Sequence, residues 1–209
     1  GVERLRIVTP SQWLGGLVKR SYLGDYEMTV IPNGVDLDRF KPRENDVKAR
    51  LGIEGRTMLL GVASKWLSVK GLDVFVALAQ LLGEEYAIVM VGVDERLRQR
   101  LPGRIIALPH TESVEELAEL YTAADLLLNL SREESFGLVS LEALACGTPV
   151  LTYDCTAAPE VLRRHAGECD CGIIVRAAEG VTAVAVAIEA GQWREITAEQ
   201  CTLQAAGYS

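Results

Sequence analysis

The chain has 209 residues, of which 49% are hydrophobic and 24% charged, and its net charge is −8. That length holds one large domain or a domain plus a fragment, and the composition excludes both a disordered chain and a scaffold that depends on disulfide or metal staples. The negative balance argues against a nucleic-acid partner, which needs its phosphates neutralised by Lys and Arg, yet it leaves room for a small anion held by local lysines.

In chain order, "LRIVTP" reads as a strand. "SQWLGGLVKRSY" follows as a helix with Ser11 at its N-cap and Trp13, Leu14, Leu17 and Val18 facing inward. "MTVIPNG" is a second short strand stopped at Pro32-Asn33-Gly34, where Asn-Gly signals a turn because both residues tolerate positive φ. "VDLDRFKPREND" is polar, contains a proline and reads as a linker. Two strands and one helix cannot bury a core alone, so this opening stretch must pack on something else. Six apolar runs come next: "TMLLGVAS", "YAIVMVG", "RIIAL", "DLLLNLS", "PVLTYD" and "GIIV". Helices lie between them. The clearest starts at Ser113, with Glu116 three residues on as a capping box. Its apolar set, Val114, Leu117, Ala118, Leu120, Tyr121 and Ala124, has helical spacing. Continuous apolar strands are buried on both faces, as parallel strands are. The expected fold is therefore α/β, a doubly wound parallel sheet of Rossmann-like type.

The five cysteines, at 146, 155, 169, 171 and 201, are odd in number and irregularly spaced, so neither a disulfide framework nor a four-ligand zinc site follows. Reduced thiols, no apolar run of spanning length and no signal-peptide pattern point to a cytoplasmic protein. Gly1 stands where an initiator Met is expected, which reads as a cut boundary. His165, in "RRHAGE", reads as a surface residue.

In a doubly wound sheet, ligands bind beyond the carboxyl ends of the strands where strand order reverses. With the order 3-2-1-4-5-6, the crevice falls between "GVASKWLSVKG" after the first main strand and "SREESFG" after the fourth. The helix beyond "SREESFG" is expected to start near Phe136, with Ser135 at its N-cap. Gly137 keeps that end bare, so its amides and dipole form an anion site. Lys65 and Lys70 close on the same anion from the opposing loop, a combination that suits a diphosphate. Glu142 lies further along the helix, leaning back toward its start, where a carboxylate needs donors such as a ribose diol. Glu134 stands on the loop, where a sugar would lie. Glu133 reads as solvent-facing and His110 as a loop residue, and Trp66 reads equally as loop packing or as a lid.

These residues carry a family resemblance. "ESFGLVSLE" followed by "ALACGTPV", a Glu-x7-Glu signature, resembles the C-terminal half of GT-B glycosyltransferases, in particular the retaining family 4. "VIPNGVDLDRFKP", "GVASKWLSVKGLDVF", "YTAADLLLNLS" and "AAPEVL" support it and follow in the expected order. The resemblance implies a nucleotide diphosphate sugar as donor, no cofactor and no metal. It places Lys65 and Lys70 on the diphosphate leaving group, Glu134 on the donor sugar and Glu142 on the ribose. The N–H groups of Phe136, Gly137 and Leu138 would bind phosphate oxygens, and Pro109 and His110 would fall in the base-recognition loop. Lys65 departs from the family's usual Arg, which loses a bidentate fork. "LSVKG" lacks the commoner acid before its lysine, and beyond about residue 176 the match fades.

The resemblance also implies that residues 1–40 are the remnant of an N-terminal acceptor domain and hinge, and residues 41–209 the donor-binding domain. The partners implied are that missing domain and a glycan or lipid-linked acceptor. The setting would be cell-surface polysaccharide assembly, with the full-length protein peripheral to the inner membrane face. The competing readings are a non-catalytic nucleotide-sugar binding module and a GT-B epimerase or phosphorylase.

Overall fold

A computed structural model describes residues 5–163 and 171–208. His165 and Cys169 lie outside the described residues. The chain opens with β1 (Arg6–Thr9), α1 (Gln12–Lys19) and β2 (Glu27–Val30), the two strands pairing in parallel. Ser11 caps α1 as expected, its Oγ accepting the Leu14 N–H at 3.1 Å. Leu17 does not face inward; it is 40% exposed, because a two-stranded sheet offers one helix too little surface to cover.

Pro32-Asn33-Gly34 forms no turn, and neither Asn33 nor Gly34 has positive φ. The segment runs extended instead, and the Val35 N–H reaches the Tyr208 carbonyl at 3.0 Å. The stretch read as a linker buries Val35 and Phe40 in the main core and packs Leu37 against it, so the apolar residues among its charges decide its fate. It leads into α2 (Val47–Arg50).

The main sheet contains β3 (Thr57–Val62), β4 (Tyr86–Val91), β5 (Ile105–Leu108), β6 (Leu126–Asn129), β7 (Val150–Tyr153) and β8 (Gly172–Val175). They are parallel and ordered β5-β4-β3-β6-β7-β8, the doubly wound order with its reversal between β3 and β6. The helices between them are α3 (Leu72–Leu81), α4 (Glu95–Arg98), α5 (Val114–Ala123) and α6 (Leu138–Ala145), and α7 (Gly180–Ala190) and α8 (Ala198–Ala206) follow β8.

Alternation along the strands divides the core in two. Met58, Leu60, Val89 and Leu127 face α2, α5, α6 and α8, while Leu59, Ile88, Met90 and Leu128 face α3 and α7. Large side chains such as Phe75, Leu78 and Tyr121 are fully buried, each worth roughly 1.5–3 kcal/mol of transfer free energy. The capping box at α5 forms only in part. Ser113 Oγ accepts the Glu116 N–H at 3.1 Å, but the Glu116 carboxylate turns to the Glu112 N–H at 2.8 Å rather than to Ser113.

Candidate functional site

β3 and β6 end side by side at the order reversal, and their following loops are fastened together. The Arg132 N–H donates to the Val69 carbonyl at 2.8 Å. The Arg132 guanidinium grips Asp73, on the first turn of α3, with two hydrogen bonds of 2.9 and 2.6 Å, and also reaches the Ser68 carbonyl. These bonds hold the Asp73 carboxyl below its ordinary range. Gly71 permits the approach. Its φ is +79° and a Cβ there would lie 2.6 Å from the Leu130 carbonyl oxygen.

That fastening brings Lys70 to Glu134. Lys70 Nζ lies 2.9 and 3.2 Å from the two carboxylate oxygens, and the Glu134 side chain is only 12% exposed. The loop after β7 holds Glu134 from behind. The Glu134 N–H donates to Thr156 Oγ1 at 3.1 Å, and the Ala157 N–H to the Glu134 carbonyl at 3.2 Å. Thr156 has φ +55°, an outlier for a β-branched residue.

The next helix does not start at Phe136 behind a Ser135 cap. Its N-cap is Gly137, at φ +100° and ψ +51°, and no side chain bonds to its first amides. A left-handed residue turns the chain sharply into α6, which glycine allows and serine does not. Among the described residues, the N–H groups of Phe136, Gly137, Leu138 and Val139 donate to no protein group. Free amides at a helix start, together with the dipole, favour an anion.

Glu142 is the fifth residue of α6, about 6 Å along from Leu138 by the helical rise. The fully buried Tyr121 donates its hydroxyl to Glu142 Oε2 at 2.8 Å. Burial pushes the Glu142 carboxyl up, and the Tyr121 bond opposes that in part. The Tyr121 phenol is pushed well above its ordinary value, by burial first and the Glu142 charge second. One neutral donor is a thin solvation shell for a carboxylate, so the site retains capacity for further donors such as hydroxyls.

Lys65 and His110 line a pocket of about 430 Å³ with Trp66, on the α3–α4 side, and Lys70 does not line it. Pro109 is exposed at the end of β5, its carbonyl accepting the Gly92 N–H at 3.3 Å. The structure thus pairs Lys70 with Glu134 and sets Lys65 and His110 on one pocket wall. Glu133 is exposed, as its reading held. Trp66 is packing. Its indole N–H bonds the Val91 carbonyl at 2.8 Å, and its ring meets Phe75 edge-on at 5.0 Å.

Tyr121, Arg132, Asp73 and Thr156 escaped the sequence reading as parts of this site. Tyr121 fits the apolar helical period too well to announce a polar duty. The other three act through loop contacts that no local spacing encodes.

A family model described as glycosyl transferases group 1 matches residues 56–190. The chain belongs to this family. A D-inositol 3-phosphate glycosyltransferase of Corynebacterium jeikeium is 34% identical over 168 residues, covering 70% of this chain and 40% of that protein. Among solved structures, sucrose-phosphate synthase from Thermosynechococcus elongatus superposes with a TM-score of 0.80 at 22% identity, covering 97% of this chain and 54% of that one. HepE of Anabaena, in complex with UDP and glucose, superposes with a TM-score of 0.74 at 20% identity, covering 96% and 58%. The fold of this glycosyltransferase chain is thus of GT-B type, and the chain spans about two fifths of the curated relative's length. Among the described residues, no helix is long and apolar enough to cross a membrane.

Proposed function

We propose that residues 41–209 form the donor-binding half of a retaining glycosyltransferase that moves a sugar from a nucleotide diphosphate sugar to an acceptor. One observation carries the reading. Among the described residues, four unpartnered amides open α6 at the order reversal, with Lys70–Glu134 on one side and Glu142 on the other. The diphosphate sits on the amides of Phe136, Gly137 and Leu138, with Lys70 and Lys65 supplying positive charge and no metal required. Glu142 takes the ribose diol, Glu134 the donor sugar, and the Pro109–His110 loop borders the base.

As the anomeric C–O bond breaks, charge builds on the departing diphosphate. Fixed amides and Lys70 stabilise it without reorganising, the form of electrostatic catalysis that lowers such barriers most. Glu134 holds Lys70 in place beforehand and faces the positive charge that develops on the sugar. The binding of UDP and glucose by HepE supports a nucleotide-sugar donor by analogy of fold. Residues 1–40 then belong to an acceptor domain that takes a glycan or lipid-linked acceptor in cell-surface polysaccharide assembly, at the inner membrane face. The 209 residues alone transfer no sugar in this reading.

Calorimetry with UDP, GDP and ADP and their sugars tests it. One nucleotide should bind, and Lys70→Ala and Glu142→Gln should each weaken it by about tenfold, the loss expected for a charge-assisted hydrogen bond. No binding by any of them removes the site. A second reading, a nucleotide-sugar sensor without turnover, has one observation in its favour: Lys70 is already neutralised by Glu134. Turnover by the chain joined to its acceptor domain would exclude it.

A further inference from the structure

The motif "AAPEVL", residues 157–162, has no duty in the donor reading, yet it is where the opening unit meets the main domain. Ala158–Leu162 forms a 3-10 turn in which Ala158, Pro159, Val161 and Leu162 are buried and Glu160 is not. The Glu160 carboxylate reaches the start of α1. The Gln12 N–H donates to its Oε2 at 2.8 Å, and the Trp13 N–H to its Oε1 at 2.7 Å. With the Leu14 N–H on Ser11 Oγ, the amides that open α1 are satisfied. This helix carries no acid in its own first turn, so the negative charge that its dipole favours there comes from the main domain.

Among the described residues, these two bonds are the hydrogen bonds that join residues 5–31 to residues 41–208. Beside them lies a cavity of about 690 Å³ between the two units. Pro10, Val30 and Pro32 line it from one unit, and Phe136, Leu203 and Tyr208 from the other. Two charge-assisted bonds to a helix end hold direction better than apolar walls with a cavity between them. The turn that carries Glu160 is itself fixed. Its N–H donates to the Ala157 carbonyl at 3.0 Å, and Gln204 Nε2 to the Val161 carbonyl at 2.8 Å. At its other end the same run grips the sugar corner, through Thr156 Oγ1 and the Ala157 N–H on the backbone of Glu134.

We propose that Glu160 is a positioning residue for sugar transfer, one that sets the angle at which the acceptor unit faces the donor. The inference rests on the reading that residues 1–40 belong to an acceptor domain. Reacting atoms must meet in a near-attack geometry, and a misplacement of about 1 Å costs about 10²-fold in rate. Glu160 acts through α1 and not on the donor, so its loss is felt in turnover and not in nucleotide binding.

Residual dipolar couplings on the 209-residue chain test the geometry. Couplings from α1 and from the main sheet should fit a single alignment in the wild type and separate ones in Glu160→Ala. Glu160→Gln keeps one acceptor oxygen and should fall between them. In the chain joined to its acceptor domain, kcat is counted per nucleotide-binding site, so that a smaller folded fraction does not pass for slower transfer. Glu160→Ala should then lower kcat by about ten- to hundredfold with the donor KM unchanged, and Glu160→Gln should recover part of that loss. The proposal falls if Glu160→Ala keeps a single alignment, if kcat per site is unaltered, or if nucleotide affinity drops along with turnover. Absence of nucleotide binding in the wild type sinks the donor reading, while the alignment of α1 still decides whether Glu160 sets the angle, so the two fail separately.

Discussion

The two signature acids, Glu134 and Glu142, stand eight residues apart and live in opposite electrostatic settings. Glu134 is neutralised by Lys70 and held by its backbone between two loops, so its charge is matched before any ligand arrives. Glu142 is half-buried against one neutral hydroxyl, and its carboxyl is pushed up by burial. One corner of the crevice has its charge matched within the protein; the other carries a buried carboxylate at a cost in stability. The lesson is that preorganisation at the sugar end and demand for donors at the ribose end come from the same nine-residue stretch.

Cutting into the ribose corner should produce the largest effect. Tyr121→Ala removes a fully buried ring and is expected to destabilise the chain by about 3–5 kcal/mol, read by urea unfolding. Tyr121→Phe keeps the ring and removes the donor to Glu142, for about 1–3 kcal/mol. A loss of Tyr121→Phe as large as that of Tyr121→Ala would mean that the hydroxyl, not the packing, holds this corner together. At the sugar corner, Lys70→Met leaves Glu134 unmatched. Breaking a buried pair costs about 3–5 kcal/mol, but the Lys70 side chain is 34% exposed, so about 2 kcal/mol is expected.

The pH dependence of Glu142 sharpens the contrast. Its carboxyl sits above the ordinary 4.5, so between that value and the raised one the folded state binds more protons than the unfolded. Stability from this group therefore falls as pH rises through that window. Glu142→Gln should melt higher than the wild type at neutral pH, and the gain should vanish as pH drops below 4.5. Asp73 has the opposite sign. Its carboxyl is lowered by Arg132, so its contribution is present above the ordinary 3.8 and is lost as pH falls through the folded value. Thermal melts of Glu142→Gln and Asp73→Asn at neutral pH should thus lie on opposite sides of the wild type, and both should converge on it as pH falls.

Much of this was legible in the sequence. All six main strands, the order 3-2-1-4-5-6 and the crevice between its first and fourth strands follow from apolar runs and one topological rule. Glycine at 137 marked the bare helix end, although its left-handed geometry makes it the cap itself. What stayed hidden depends on contacts between distant segments. Lys70 finds Glu134 because Arg132 and Asp73 pin two loops 59 residues apart in sequence, and no local pattern encodes that. Asn33-Gly34 carried a strong turn signal that the Val35–Tyr208 hydrogen bond overrides, tertiary pairing winning over local propensity.

Thr156 should give the smallest change in stability. A β-branched residue at φ +55° costs about 1–3 kcal/mol of backbone strain. Here the strained turn aims Oγ1 at the Glu134 N–H and brings the Ala157 N–H onto the Glu134 carbonyl. Thr156→Gly relieves the strain, but it frees the unfolded chain by about 0.5–1 kcal/mol and removes an acceptor worth about 1 kcal/mol. The terms nearly cancel, so Thr156→Gly should unfold within about 1 kcal/mol of the wild type. Its nucleotide-sugar affinity should still drop, because Glu134 loses its backbone anchor, and affinity for the bare nucleotide should not. Thr156→Ser keeps the hydroxyl and should bind both as the wild type does. If Thr156→Gly is instead stabilised by well over 1 kcal/mol with sugar affinity intact, the strain serves nothing at Glu134, and the sugar corner owes its order to Lys70 alone.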